Sequence, residues 1–177
     1  MVKEEHSILY FQDHLPRSPS EQELIHSSKR EFMEQLGVKD FSGLDIRVEH
    51  IPGGTCLVRE EVVEDNKLIY VIAGSLFITQ KSSDGSNDVH LFTAFPGDMI
   101  GGLAVLTGEA SVFTIQSRLP ATIAWLPQDD CSTLIDADMN VTLKIAHSVL
   151  KRMSPFVRQF DFALDWVFLE GGQAVYR

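Results

Sequence analysis

Between positions 44 and 127 the chain alternates short apolar runs with turn residues, and on either side of that stretch the apolar spacing lengthens to that of helices. The runs cover 45–51, 55–59, 67–73, 75–80, 90–95, 112–117 and 122–126, punctuated by Pro52-Gly53-Gly54, Gly74, Asp84-Gly85, Pro96-Gly97 and Leu119-Pro120. Seven or eight short strands separated by turn residues predict an antiparallel sandwich or roll. The polar stretch 82–88 reads as an exposed hairpin loop.

Helical signals flank this β unit. Ser18 as N-cap, Pro19 at the first helical position and Glu21 in a capping box open a helix of about 17 residues. Leu24, Ile25, Phe32, Met33 and Leu36 supply its apolar face, and Gly37 stops it. Inside the β region, Gly101-Gly102-Leu103-Ala104-Val105-Leu106-Thr107-Gly108 breaks the strand rhythm and predicts one helical turn with free amides at its start. After Pro127, Asp138 or Asn140 caps a helix bearing Val141, Ile145, Val149 and Leu150. Ser154-Pro155 predicts a hinge before a second helix carrying Phe156, Phe160, Ala163 and Val167.

The expected organisation is an arm or linker at 1–17, a helical segment at 18–43, a β-roll at 44–127 with an insert at 100–113, closing helices at 128–168, and a final segment at 169–177. In that last segment, Gly171-Gly172-Gln173-Ala174-Val175-Tyr176-Arg177 echoes Gly53-Gly54-Thr55-Cys56-Leu57-Val58-Arg59 at an offset of 118 residues, as the start of a further repeat would.

Composition narrows the function. The 177 residues are 44% hydrophobic, enough for a real core, and 25 acidic against 15 basic side chains give a net charge of −10. A general nucleic-acid binder would need clustered Lys and Arg, so nucleic acid is not an expected partner. A transcription factor on this scaffold would also need a helix-turn-helix after the last long helix, where the chain has Gly-Gly-Gln-Ala-Val-Tyr-Arg instead. No run reaches the roughly 18 apolar residues of a membrane span. The polar start is no signal peptide, so a reduced, cytosol-facing setting is expected.

Cys56 and Cys131 read as structural thiols, and the six histidines show no metal-ligand spacing, so no metal site is expected. Asp129-Asp130 reads as a solvated turn and Asn140-Val141-Thr142 as an incidental sequon.

Over residues 40–167 the chain resembles the cyclic-nucleotide-binding domain family. The resemblance rests on Pro52-Gly53 opening a strand, on the turn Tyr70-Val71-Ile72-Ala73-Gly74, and on Pro96-Gly97-Asp98 leading into Ile100-Gly101-Gly102-Leu103-Ala104-Val105. It implies an antiparallel β-roll or jelly roll of about eight strands with an N-terminal helix, a short cassette helix and two C-terminal helices. It also implies that Gly101, Gly102, Leu103, Ala104, Ser111 and Val112 form a phosphate-binding cassette, with Trp166 of the last helix a candidate cap for a bound base; plain core packing is the other role open to Trp166.

A helix N-terminus can cradle a cyclic phosphate. The family adds a Glu for the ribose 2′-hydroxyl and an Arg for the phosphate; here Gly102 and Ser111 stand at those places, and Glu109 adds a negative charge nearby. Losing two charge-assisted bonds of about 1.5–3 kcal/mol each weakens binding by about 10²–10⁴.

The degenerate cassette and the ending 166–177 are similar to neuropathy target esterase and its relatives, which carry several such domains ahead of a patatin-like phospholipase domain. That similarity implies a lysophospholipase anchored at the endoplasmic reticulum membrane. Its nucleophile would sit in Gly-x-Ser-x-Gly, which this chain lacks, so no catalytic residue is expected here. The resulting expectation is a regulatory or interaction domain without a cofactor, whose partners are neighbouring repeat domains, the catalytic domain of the same chain, or a second copy in a homo-oligomer. The alternative is a working cyclic AMP or cyclic GMP sensor that holds the phosphate by backbone amides alone.

Overall fold

Two strands carry the architecture, because each is apolar on both faces. Their runs, Lys-Leu-Ile-Tyr-Val-Ile-Ala and Ala-Thr-Ile-Ala-Trp-Leu-Pro, pair antiparallel with Ile69 opposite Trp125 and Val71 opposite Ile123. The computed structural model describes residues 19–82, 85 and 87–170, with side chains over 20–154. The expected N-terminal arm, the Ser18 cap, the repeat at 171–177 and the side chain of Trp166 lie outside the described residues.

In chain order the elements are α1 (Pro19–Leu36), β1 (Arg47–Ile51), β2 (Cys56–Val58), β3 (Lys67–Ala73), β4 (Leu76–Lys81), β5 (Asp88–Ala94), β6 (Met99–Ile100), α2 (Gly102–Thr107), β7 (Thr114–Gln116), β8 (Ala121–Pro127), α3 (Gln128–Ala137) and α4 (Met139–Glu170). Two four-stranded antiparallel sheets, β1-β8-β3-β6 and β2-β7-β4-β5, face each other. The eight-stranded roll with flanking helices is the fold class expected from the sequence.

Strand alternation divides the interior into two cores. Ile69, Val71, Ala121 and Ile123 point into the roll, where they meet Ile51, Val58, Leu76, Ile78 and Ile115. Leu68, Tyr70, Ala124 and Leu126 point the other way, against Phe32, Met33 and Leu36 of α1, Cys131 of α3 and Val141 and Ile145 of α4. Tyr70 lies between strand and helix: its ring stacks on Phe32 with centroids 5.6 Å apart, and its hydroxyl donates to Glu31 at 2.6 Å. Burial and the Glu31 bond hold that phenol well above its ordinary pKa, so it stays a donor.

Helix α1 ends as Gly37 foretells. With φ at +77°, Gly37 donates to the Glu34 carbonyl at 3.0 Å and Val38 donates to that of Met33 at 2.9 Å, the paired bonds of a Schellman motif.

Two expectations are corrected, and one short strand was not expected. The hinge is at Asp138, not at Ser154-Pro155: α4 is a single helix of 32 residues that runs through Pro155. Proline removes one donor and crowds one carbonyl, yet the helical backbone continues past it; Asp138 instead takes an extended conformation and accepts from the Asn140 amide at 2.8 Å. Asp129 and Asp130 are not a turn but the first turn of α3, where carboxylates suit the positive helix end, and Asp130 accepts from the Asp45 amide at 2.8 Å. The two-residue strand β6 had no pattern of its own to reveal it.

Tyr70→Phe should cost about 1–2 kcal/mol in urea denaturation, because it removes a part-buried bond to a carboxylate while keeping the ring stack. The two thiols should also separate. Cys56 is exposed, whereas Cys131 is buried with its pKa pushed up to about 12, so a thiol reagent should titrate Cys56 in the folded protein and Cys131 only after unfolding.

Candidate functional site

The insert between β6 and β7 is built on contacts too close for side chains. Gly101 has φ at +85°, and a Cβ there would lie 2.1 Å from the Lys67 carbonyl oxygen, so only glycine lets α2 leave β6 against β3. Gly108 closes α2 at φ +70°. The first intrahelical bond runs from the Val105 amide to the Gly101 carbonyl at 3.2 Å, which leaves the amides of Gly102, Leu103 and Ala104 outside the ladder. Two side chains secure the far end: Gln128 donates to the Val105 carbonyl at 3.1 Å and Asn66 to that of Glu109 at 2.8 Å.

Beside α2 lies a cavity of about 450 Å³, within the usual size of a small-ligand pocket. All six residues singled out from the sequence, Gly101, Gly102, Leu103, Ala104, Ser111 and Val112, line it. Ile78, Leu91, Phe92, Phe113 and Ile115 of the roll make most of the rest apolar, and α4 contributes Val149, Arg152 and Met153.

Two positions of the cassette are spoken for. A Cβ on Gly102 would stand 2.8 Å from Ile145 Cγ2 and 3.0 Å from Val149 Cγ2, so α4 packs where a longer side chain would begin. Ser111, 6% exposed, donates to the Phe113 carbonyl at 2.8 Å and accepts from the Phe113 amide at 3.2 Å, which turns its hydroxyl into its own loop. Its carbonyl accepts from the amide of Glu61, whose φ of 65° marks a tight turn against the cassette.

Charge at the site comes from an unforeseen residue. Arg152 is the cation of the lining among the described residues, and it is ion-paired with Asp98 while its guanidinium lies 5.8 Å from the centre of the Phe92 ring. The other oxygen of Asp98 accepts from the Phe95 amide at 2.8 Å and so locks the Pro96-Gly97 turn. Sequence spacing gave no hint of Arg152, because its place depends on how α4 docks. Two arginines of the roll are engaged elsewhere: Arg59 pairs with Asp65, and Arg118 sits over the Phe77 ring at 4.3 Å. Asp65 is held below the ordinary carboxylate range, chiefly by its hydrogen bond from Arg59. Among the described residues no group of three or more His, Cys, Asp or Glu is disposed to hold a metal.

A β-roll whose short glycine-capped helix walls a cavity closed by a long helix is the arrangement of one known class. Residues 48–138 match the model of the cyclic nucleotide-binding domain, and the chain belongs to that family. By sequence it is similar to patatin-like phospholipase domain-containing protein 6 of Pongo abelii, at 40% identity over 87% of this chain and 11% of that protein. It is also similar to the neuropathy target esterase sws of Drosophila virilis, at 33% identity over 92% of this chain and 12% of that protein. The chain thus spans about an eighth or less of these relatives. Among solved structures, a cyclic nucleotide-binding domain from Methylobacillus flagellatus superposes with a TM-score of 0.57, covering 77% of this chain and 82% of that one at 16% identity, a likeness of fold.

The packing at Gly102 makes a specific demand. Gly102→Ala should destabilise the domain by about 1–3 kcal/mol, since Ile145 and Val149 are β-branched and yield little. Gly101→Ala should cost more, because the obstacle is a backbone carbonyl and φ is positive. Chemical denaturation of the two variants side by side checks the order.

Proposed function

We propose that this domain is a regulatory or interaction module of a neuropathy target esterase-like lysophospholipase, with weak or no affinity for cyclic nucleotides and no resident cofactor. The carrying observation is the packing of Ile145 and Val149 against Gly102. The ribose-binding carboxylate of the family has no counterpart there, and α4 occupies the space from which one would project. Ser111, at the place of the phosphate-pairing Arg, spends its hydroxyl on Phe113. Glu109 borders the cavity, and Arg152 is already neutralised by Asp98, so an incoming phosphate meets little uncompensated positive charge.

The names of the relatives support a place within a longer hydrolase, where this domain acts through neighbouring domains and the catalytic domain rather than by chemistry of its own. Among the described residues no helix is long and apolar enough to cross a membrane. In this reading other parts of the protein anchor it at the endoplasmic reticulum, and this domain faces the cytosol.

One observation favours the alternative of a cyclic AMP or cyclic GMP sensor. The amides of Gly102, Leu103 and Ala104 border a cavity large enough for a nucleotide, and Arg152 stands on its wall. In that case the phosphate takes Arg152 from Asp98.

Calorimetric titration with both nucleotides separates the two. The module reading expects no saturable heat below about millimolar ligand, given two missing charge-assisted bonds. Saturable binding in the low micromolar range overturns it, and loss of that binding in Arg152→Ala would assign the phosphate contact.

A further inference from the structure

The cavity beside α2 is walled by hydrocarbon from three parts of the domain: Ile78, Leu91, Phe92 and Phe113 from the roll, Leu103 from α2 and Val149 from α4. The hydroxyl groups on its wall are satisfied within the domain. Ser111 donates to the Phe113 carbonyl at 2.8 Å, Thr107 to that of Leu103 at 3.1 Å and Ser148 to that of Ile145 at 2.7 Å. Of the other polar side chains of the lining, Gln80 is half-buried, Glu109 is exposed, and Arg152 is the cation among the described residues.

Such a wall favours a ligand that buries apolar surface and offers a polar one few partners. Apolar cavities exclude water and accept hydrocarbon. The volume of about 450 Å³ suits a chain of about a dozen carbons, each filling about the 30 Å³ that a water molecule occupies in the liquid. Arg152 stands 5.8 Å from the centre of the Phe92 ring, with 30% of its side chain exposed. A guanidinium so placed can meet an anionic head in contact with solvent while an apolar tail is buried. Its pairing with Asp98 makes it a poor site for a phosphate alone, yet a planar fork of five N–H donors can take a second carboxylate. Burial of the chain then supplies the affinity, and Arg152 orients the head.

We propose that this cavity binds one medium-chain fatty acid, with its hydrocarbon tail between the roll, α2 and α4 and its carboxylate at Arg152. Nucleotide and fatty acid make opposite demands on the wall. The first needs polar anchors, which Gly102 and Ser111 do not supply; the second is best held where such anchors are missing and hydrocarbon takes their place. The proposal rests on the module reading for the meaning of the ligand: hydrolysis of a lysophospholipid releases a free fatty acid, so the domain binds the class of product that the catalytic domain makes.

Calorimetric titration of the 177-residue chain with laurate, kept below its micelle-forming concentration, tests this. The expected result is one saturable site with a dissociation constant of about 10–100 μM. Each methylene removed should weaken binding about fourfold, which makes octanoate about a hundredfold weaker or more. Arg152→Gln should weaken laurate about tenfold and leave monolaurin, the same chain under an uncharged head, unchanged. Leu91→Trp, which fills the cavity, should abolish binding of both with the far-ultraviolet circular dichroism retained. Should that variant unfold, the chain-length series on the unaltered protein still decides. No saturable heat with laurate up to about 1 mM, several chains bound per protein, affinity indifferent to chain length, or tighter binding of lauroyl lysophosphatidylcholine than of laurate overturns the proposal. Failure of the module reading shows separately, as binding of cyclic AMP in the low micromolar range.

Discussion

Everything distinctive about this domain depends on the close approach of the Gly101-Gly102 pair to its surroundings. Gly101 sits so near the Lys67 carbonyl, and Gly102 so near Ile145 and Val149, that neither position admits a Cβ without displacement. The first contact seats the short helix on the central strand β3, and the second seats the long helix α4 on the short one. Because protein interiors pack as densely as crystals, these two contacts leave little slack. They fix the wall of the cavity and the line along which α4 leaves the roll. One pair of residues thereby joins the sheet, the cassette and the closing helix into a unit.

The same contacts leave no room for a side chain at positions 101 and 102 of the cavity wall without displacement. A carboxylate at position 102 and close packing of α4 are mutually exclusive, and this chain has the packing. What polarity remains is turned inward: Ser111 to its own loop, Arg152 to Asp98, Asn66 and Gln128 to the backbone of the cassette. Each of these bonds holds the insert between β6 and β7 in place by contacts within the domain itself. The unfilled volume is bounded by Phe92, Phe113, Ile78 and Ile115, side chains that gain nothing from a phosphate.

Strands and helices were legible in the chain where residue chemistry is local. Pro, Gly and Asp-Gly turns delimit the strand runs, and the expected run at 67–73 matches β3 residue for residue. The Gly37 stop is a backbone conformation that glycine alone adopts easily. The Ser154-Pro155 break misled because a proline signal is local and does not by itself end a helix, and β6 was hidden because two residues carry no period. The six residues singled out by resemblance line one cavity. Arg152 was not legible, since nothing in a helical heptad says which basic residue will face a pocket.

By itself the sequence determined the two-sided apolar character of β3 and β8, the glycine turns, the helical insert and the presence of glycine at 102 and serine at 111. These are properties of side chains and backbone torsions, present before any long-range contact forms. The tertiary structure alone decided that Gly102 is a packing glycine, that Arg152 is neutralised by Asp98, and that, among the described residues of α4, Val141 and Ile145 are buried while Leu143 and Leu150 are exposed. Those facts depend on the direction in which α4 crosses the roll, and a helix periodicity records how many apolar faces exist but not which neighbour covers each.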